Sequence, residues 1–395
     1  MKLFIAILGF IFLIVIEVLR VYFIMPFPGS QHDNTLDFAY WLGKNINLLR
    51  IALSALIIYQ LFFLFRQNSI TKKLVVSIFL LLYGVVFYFF NFRFLAETMF
   101  YQPRVINFST PATNKVSQDK LILGVEINGQ AKAYALQLIG YHHQVRDTVG
   151  GQPVMVTYCT VCRTGRVYSP FINGKNEVFR LVGMDHFNAM FEDATTKSWW
   201  RQVSGEAVAG ELKGKKLQEI PSKQMRLSSW LKLYPSSLVL QPDSTFKKEY
   251  DDLAKYDIGN LQSSLEKRDS LSWKDKSWVI GIKSGQFSKA FDWNKLLAQK
   301  VIQDSLPQLS FMIVLENDDA SFHAFNREIG GYVLNFKKQI QAGNNILLVD
   351  DKTSSIWNLQ GTCISGKLSG MQLLSTNAYQ EFWHSWKEFN PLTLR

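Results

Sequence analysis

Three long apolar runs dominate the first hundred residues: Leu3–Met25, Asn47–Phe65 (NLLRIALSALIIYQLFFLF) and Leu74–Phe92 (LVVSIFLLLYGVVFYFFNF). Each reaches, or nearly reaches, the ~20 residues that a helix needs to cross a ~30 Å hydrocarbon layer. The pattern therefore predicts transmembrane helices over about 3–25, 47–65 and 74–92, a membrane region spanning residues 1–100. A cleaved signal peptide does not fit the first run, which is too long and is followed by no small-residue cleavage site. The loop Arg66–Lys73 (RQNSITKK) carries three basic residues and no acid, which assigns it to the cytoplasmic side. The chain is then expected to be multi-pass in the cell membrane. Its N-terminus lies inside, and everything after about Phe92 is extracytoplasmic, periplasmic in a cell with two membranes. Within the first run, Glu17 and Arg20 are three apart and are expected to pair on one helix face.

Beyond residue 120 the period shortens. Runs rich in Val, Ile, Tyr and Phe are broken by turns such as Asn128-Gly129 and Asn173-Gly174, a β pattern. Helical spacing of Trp and Leu returns only near Leu227–Tyr234 and Tyr379–Phe389. The β-rich part also repeats itself. Asp193–Gln218 (DATTKSWWRQVSGEAVAGELKGKKLQ) echoes Asp350–Leu374 (DDKTSSIWNLQGTCISGKLSGMQLL), and Leu121–Leu136 resembles Trp278–Trp293, with Gly124 over Gly281 and Asp147 over Asp304. The expected fold is a mainly β (α+β), internally duplicated soluble domain behind a three-helix transmembrane region. The copies span 120–240 and 277–394, with a polar linker at 246–277. Recurrent aromatics such as Trp199, Trp200 and Trp357 are expected in the core.

Charge adds little. The formal net charge is +11, but it is spread along the chain without a basic stripe interleaved with aromatics, which argues against a nucleic-acid partner. The expected partner is the lipid bilayer. Three cysteines are too few for a disulfide-rich secreted scaffold.

Candidate chemistry centres on VMVTYCTVCRTGRVY (Val154–Tyr168), which sets Cys159 and Cys162 three apart. With the second copy in register, these positions fall on Glu316 and Asp319, so the cysteines are an addition to the first copy. Three readings remain open. Two thiolates can share one copper or zinc ion, with His143 and His186 as the natural completing ligands and Asp185 beside the latter. The pair can instead act as a redox dithiol, its thiolates favoured by Arg163 and Arg166. Or the thiols are inert, in a binding or structural module whose cleft lies between the copies. No phosphate loop, serine-nucleophile elbow or His-Glu-x-x-His signature assigns an enzyme class.

The stretches GYHHQVRDTVGGQPVMVTYCTVCRTGRVYSP and FRLVGMDHFNAMFEDATTKSWWRQVSGEAVAGELKGKKL, with the closing WNLQGTCISGKLSGMQLL, resemble the DUF3179 family of bacterial and archaeal proteins. The resemblance covers about residues 120–394 and rests on the Tyr-Cys-x-x-Cys and Trp-x-Gln-x-x-Gly patterns. This chain has Thr160-Val161 where many members carry Pro-Leu. The resemblance implies membership and brings no biochemical role with it.

Overall fold

The computed structural model describes residues 1–32, 34–66, 69–341 and 345–395. They form two compact units, Met1–Tyr101 with Glu177–Lys216, and Gln102–Asn176 with Leu217–Arg395.

The first unit begins with α1 (Lys2–Tyr22), α2 (Leu36–Phe65) and α3 (Ile70–Tyr88), the last continued by a π-helical turn over Phe89–Arg93. All three are long and apolar enough to cross a membrane. Leucine- and phenylalanine-rich faces close the bundle around Phe10, Leu13, Ile57 and Leu64. Helix α2 starts eleven residues before the expected Asn47, because Ala39, Leu42 and Ile46 recur at helical spacing and are buried. The expected Glu17–Arg20 pair is present at 3.8 Å, but Arg50 is the closer partner. Its Nε and Nη2 donate to the two Glu17 oxygens at 2.6 and 2.7 Å. Asn91, in the π turn, donates a further bond to Glu17 at 3.0 Å. A buried carboxylate is tolerated only with such pairing. Of the loop Arg66–Lys73, Gln67 and Asn68 lie outside the described residues.

The same unit carries a four-stranded antiparallel sheet, in the order Ala207–Ala209, Trp199–Arg201, Asn188–Asp193, Phe179–Asp185. The sheet is tied directly to the helical part. Met184 N donates to Ile24 O at 2.7 Å, Phe187 N to Gln31 Oε1 at 3.1 Å, and Lys213 Nζ to Asp37 at 2.7 Å.

In the second unit one succession occurs twice. The hairpin Leu121–Ile127/Gln130–Ala135, the helix Leu136–His142 and a three-stranded meander Gln144–Val149, Gln152–Cys159, Thr164–Tyr168 come first. The hairpin Trp278–Ser284/Phe287–Asp292, the helix Trp293–Gln299 and the meander Val301–Leu306, Leu309–Leu315, Phe322–Asn326 follow. Each helix ends on a left-handed residue, His143 or Lys300, and each hairpin lysine pairs with a meander aspartate, Lys132 with Asp147 and Lys289 with Asp304. Local detail also recurs around two buried carboxylates. Asp193 accepts from Thr196 N, Ser198 N and Trp200 Nε1, and Asp350 accepts from Thr353 N, Ser355 N and Trp357 Nε1.

Gly124 and Gly281 each sit under a tryptophan. A Cβ on Gly124 would lie 2.5 Å from Trp230, and one on Gly281 only 2.0 Å from Trp386. Both indoles are buried, so neither can swing away without emptying its own site. Gly281→Ala is therefore expected to destabilise the protein by about 1–3 kcal/mol, the usual cost of overpacking, with Gly124→Ala costing less. Thermal denaturation of the two variants checks both the size and the order.

Candidate functional site

The strand Gln152–Cys159 turns back into Thr164–Tyr168 with Cys159 opposite Thr164. The reversal over Thr160–Val161–Cys162–Arg163 closes through Arg163 N to Thr160 O at 3.3 Å, with Arg163 in the left-handed region. A turn this short brings both cysteines to its base. All three cysteines of the chain are buried thiols, and after burial Cys159 is the neighbour that acts most on Cys162. Burial first, then Cys159, pushes the Cys162 thiol well above its ordinary pKa, against opposing effects of Ser385 and the Lys276 ammonium. Lys276 donates to Val161 O at 2.8 Å, and burial lowers its own pKa.

The two arginines after the cysteines do something other than face the thiols. Arg163 lies over the Trp278 ring at 3.8 Å and donates to Gln380 Oε1 at 2.9 Å and to the carbonyls of Tyr256 and Asp257. Arg166 lies over Tyr379 at 3.5 Å and donates to Glu381 Oε1 at 2.5 Å. Burial alone would lower the Arg166 pKa, but Glu381, Tyr379 and Glu219 carry it above its ordinary value. Ser385 donates to the other Glu381 oxygen, and Phe382 N donates to Cys162 O. The cysteine turn is thus clasped to the C-terminal strand Ala378–Phe382 and the helix Trp383–Phe389.

The two expected histidines have local partners of their own. His143 caps the helix Leu136–His142. Its Nδ1 meets Tyr141 O at 3.1 Å, and burial drives its pKa down to about 4. His186 belongs to the first unit. With Phe187 it forms a two-residue hairpin turn, both at positive φ, and its Nδ1 meets Asp185 Oδ1 at 2.6 Å. Arg201 holds the other Asp185 oxygen at 2.5 Å. Burial would raise the Asp185 pKa, but these two partners hold it below the usual carboxylate range. Among the described residues no group of three or more His, Cys, Asp or Glu side chains is placed to hold a metal ion.

A second arrangement, which sequence reasoning passed over, lies in the second unit. A cavity of about 210 Å³ is lined by Lys223, Gln224, Trp230 and Tyr234 on one side and by His323 and Asn377 on the other. His323 is only 4% exposed. Its Nε2 meets Glu316 Oε1 at 2.6 Å, and since a carboxylate only accepts, Nε2 carries a proton. Its Nδ1 is buried without a hydrogen-bond partner among the described residues. Burial would raise the Glu316 pKa, but bonds from His323, Ser229 and Gln360 hold it below the ordinary value. Trp230 and Tyr234, 4.3 Å between ring centroids, supply an aromatic wall. The only hint in the sequence is positional: Glu316 takes the place that Cys159 holds in the first copy.

The Arg166–Glu381 pair has the clearest energetic consequence. Glu381→Ala leaves a buried guanidinium with neutral acceptors at Thr164 and Gly165 and its remaining carboxylate 3.8 Å away at Glu219, and is expected to cost ~3–5 kcal/mol of stability. Glu381→Ala with Arg166→Met should recover much of that loss in chemical denaturation.

No curated protein and no solved structure matches the chain. The sequence profile described as "Protein of unknown function (DUF3179)" matches residues 101–393. That span takes in the cysteine turn, the Trp230 cavity and the C-terminal clasp. The chain belongs to the DUF3179 family.

Proposed function

We propose that this DUF3179 chain is a membrane-anchored ligand-binding protein, built from two copies of one unit, with its ligand site in the cleft between them. Duplication is supported by the repeated succession of elements, by the matched lysine–aspartate pairs and by the Asp193 and Asp350 turns. Anchoring is supported by three helices of spanning length. The basic residues of the loop between α2 and α3 favour an extracytoplasmic domain.

One observation carries the ligand site. His323 is a buried imidazole, oriented by Glu316, that lines a cavity and keeps one ring nitrogen without a hydrogen-bond partner among the described residues. Buried polar atoms are otherwise nearly always satisfied, so the nitrogen marks a place where a ligand adds a bond. The aromatic wall and the amides of Gln224 and Asn377 suit a small polar molecule with one apolar face. A thermal-shift screen of the detergent-solubilised protein against neutral sugars, amino acids and short carboxylates tests this. A binder at 100 times its Kd adds about 2.7 kcal/mol, and His323→Gln and Tyr234→Ala should each diminish the shift. No shift with any class, or a shift that survives both substitutions, would sink the reading.

The contact between Cys159 and Cys162 favours a second reading, in which the pair alternates between dithiol and disulfide. In an oxidising compartment, exchange with a small-molecule disulfide joins the two sulfurs, and that disulfide takes the two electrons and two protons and leaves as two thiols. Protein isolated from such a compartment and alkylated in denaturant without reductant should then expose one reactive thiol, Cys363. Three reactive thiols would rule the disulfide out, and metal content measured on the same sample addresses the copper or zinc alternative.

A further inference from the structure

The cavity that His323 lines also carries two opposite charges that do not meet, Lys223 and Glu126. Strand register explains their placement. Lys223 lies opposite Gly124 where the strand Lys223–Arg226 pairs with Leu121–Ile127. Opposed residues share a face of the sheet, and so do residues two apart along one strand. Glu126 is therefore a diagonal neighbour of Lys223 on the same face, with Cβ atoms roughly 7 Å apart. Gly124 has no side chain to fill the space beside them, and the Trp230 indole lies against it. An ammonium and a carboxylate thus flank one aromatic floor, with Tyr234 continuing it at 4.3 Å between ring centroids.

Neither charge has an ion-pair partner among the described residues. Lys223 is half-buried and makes no side-chain hydrogen bond among them either. Burial lowers its pKa and Glu126 opposes that fall, so the carboxylate acts on the ammonium across a gap. Glu126 accepts from Gly129 N at 2.7 Å through Oε1, which leaves Oε2 open. The carboxylates behind the wall are held elsewhere. Glu316 is engaged by His323, Ser229 and Gln360, Asp318 by Arg226, and Glu219 by Tyr379 and Arg166. A simple anion or a simple cation would meet one attracting and one repelling group here, which disfavours both. A ligand with both charges on neighbouring atoms satisfies each through a charge-assisted hydrogen bond. The volume of about 210 Å³ lies below the ~300–1,000 Å³ of drug-sized ligand sites, which sets the scale at one small molecule.

We propose that this cavity takes a zwitterionic α-amino acid, its carboxylate on Lys223, its ammonium on Glu126 and its side chain against Tyr234 and Trp230. The assignment rests on the reading of the His323 cavity as the ligand site. The full chain in mild detergent is screened by thermal shift with the standard L-amino acids, neutral sugars and short carboxylates. The amino acid giving the largest shift is then titrated calorimetrically beside its α-amide, which lacks the carboxylate, and its N-acetyl form, which lacks the ammonium. Lys223→Gln should weaken the amino acid about tenfold, the size of one lost charge-assisted bond, and leave the α-amide unchanged. Glu126→Gln should weaken the amino acid similarly and leave the N-acetyl form unchanged. Both variants should keep the unliganded melting temperature, because Lys223 holds no bond and glutamine still accepts from Gly129 N. Failure of every amino acid to bind, binding that either substitution leaves unchanged, or equal losses for free and blocked forms overturns the zwitterion. A sugar or carboxylate that binds instead, and depends on His323, leaves the cavity reading standing alone. No shift with any class removes both.

Discussion

The ion pair between Arg166 and Glu381 is buried at both ends, with side-chain exposures of 3% and 0%, and it joins residues 215 positions apart. Neither charge has water to fall back on, so each fixes the other's place. Because Arg166 follows the cysteine turn and Glu381 lies in the last strand, closure of the pair brings Ser385 to the thiols and Gln380 to Arg163. The strand Ala378–Phe382 and the helix Trp383–Phe389 therefore wall the cysteine turn. The desolvated Cys162 thiol, its pKa pushed up by burial, stays protonated, which separates it from exposed cysteines that react as thiolates.

The corresponding corner of the meander Val301–Asn326 holds different chemistry. After the strand Leu309–Leu315 the chain turns through Glu316 and returns as Phe322–Asn326, and the polar groups at the turn's base are Glu316 and His323. One corner holds two sulfurs against a serine and a lysine, the other a carboxylate against an imidazole. A turn at the end of a meander tolerates such exchange because its backbone bonds are made within the strands.

Within the first unit the controlling group is Glu17. A carboxylate with no exposure, inside a helical bundle, requires its partners, and Arg50 and Asn91 bring α2 and the π turn to α1. The π turn is the local consequence, since a widened turn is how Asn91 reaches both Glu17 and Arg20.

Much of the architecture was legible in the sequence, because it depends on local period. Apolar runs of spanning length determined three helices, alternation and Gly/Asn turns determined strands, and the three-residue spacing of Cys159 and Cys162 determined that their sulfurs share one turn. The recurrence of Asp193 and Asp350 with their Thr, Ser and Trp partners was also visible, since those contacts close within seven residues. Tertiary structure decided whatever depends on long-range closure. It assigned Arg163 and Arg166 to the C-terminal strand instead of the thiols, and made His143 a helix cap and His186 a turn residue. It also extended α2 by a buried face and set His323 and Glu316 beside Trp230. These outcomes turn on which partner reaches a buried charge or ring first in space, and residue spacing along the chain carries no record of that competition.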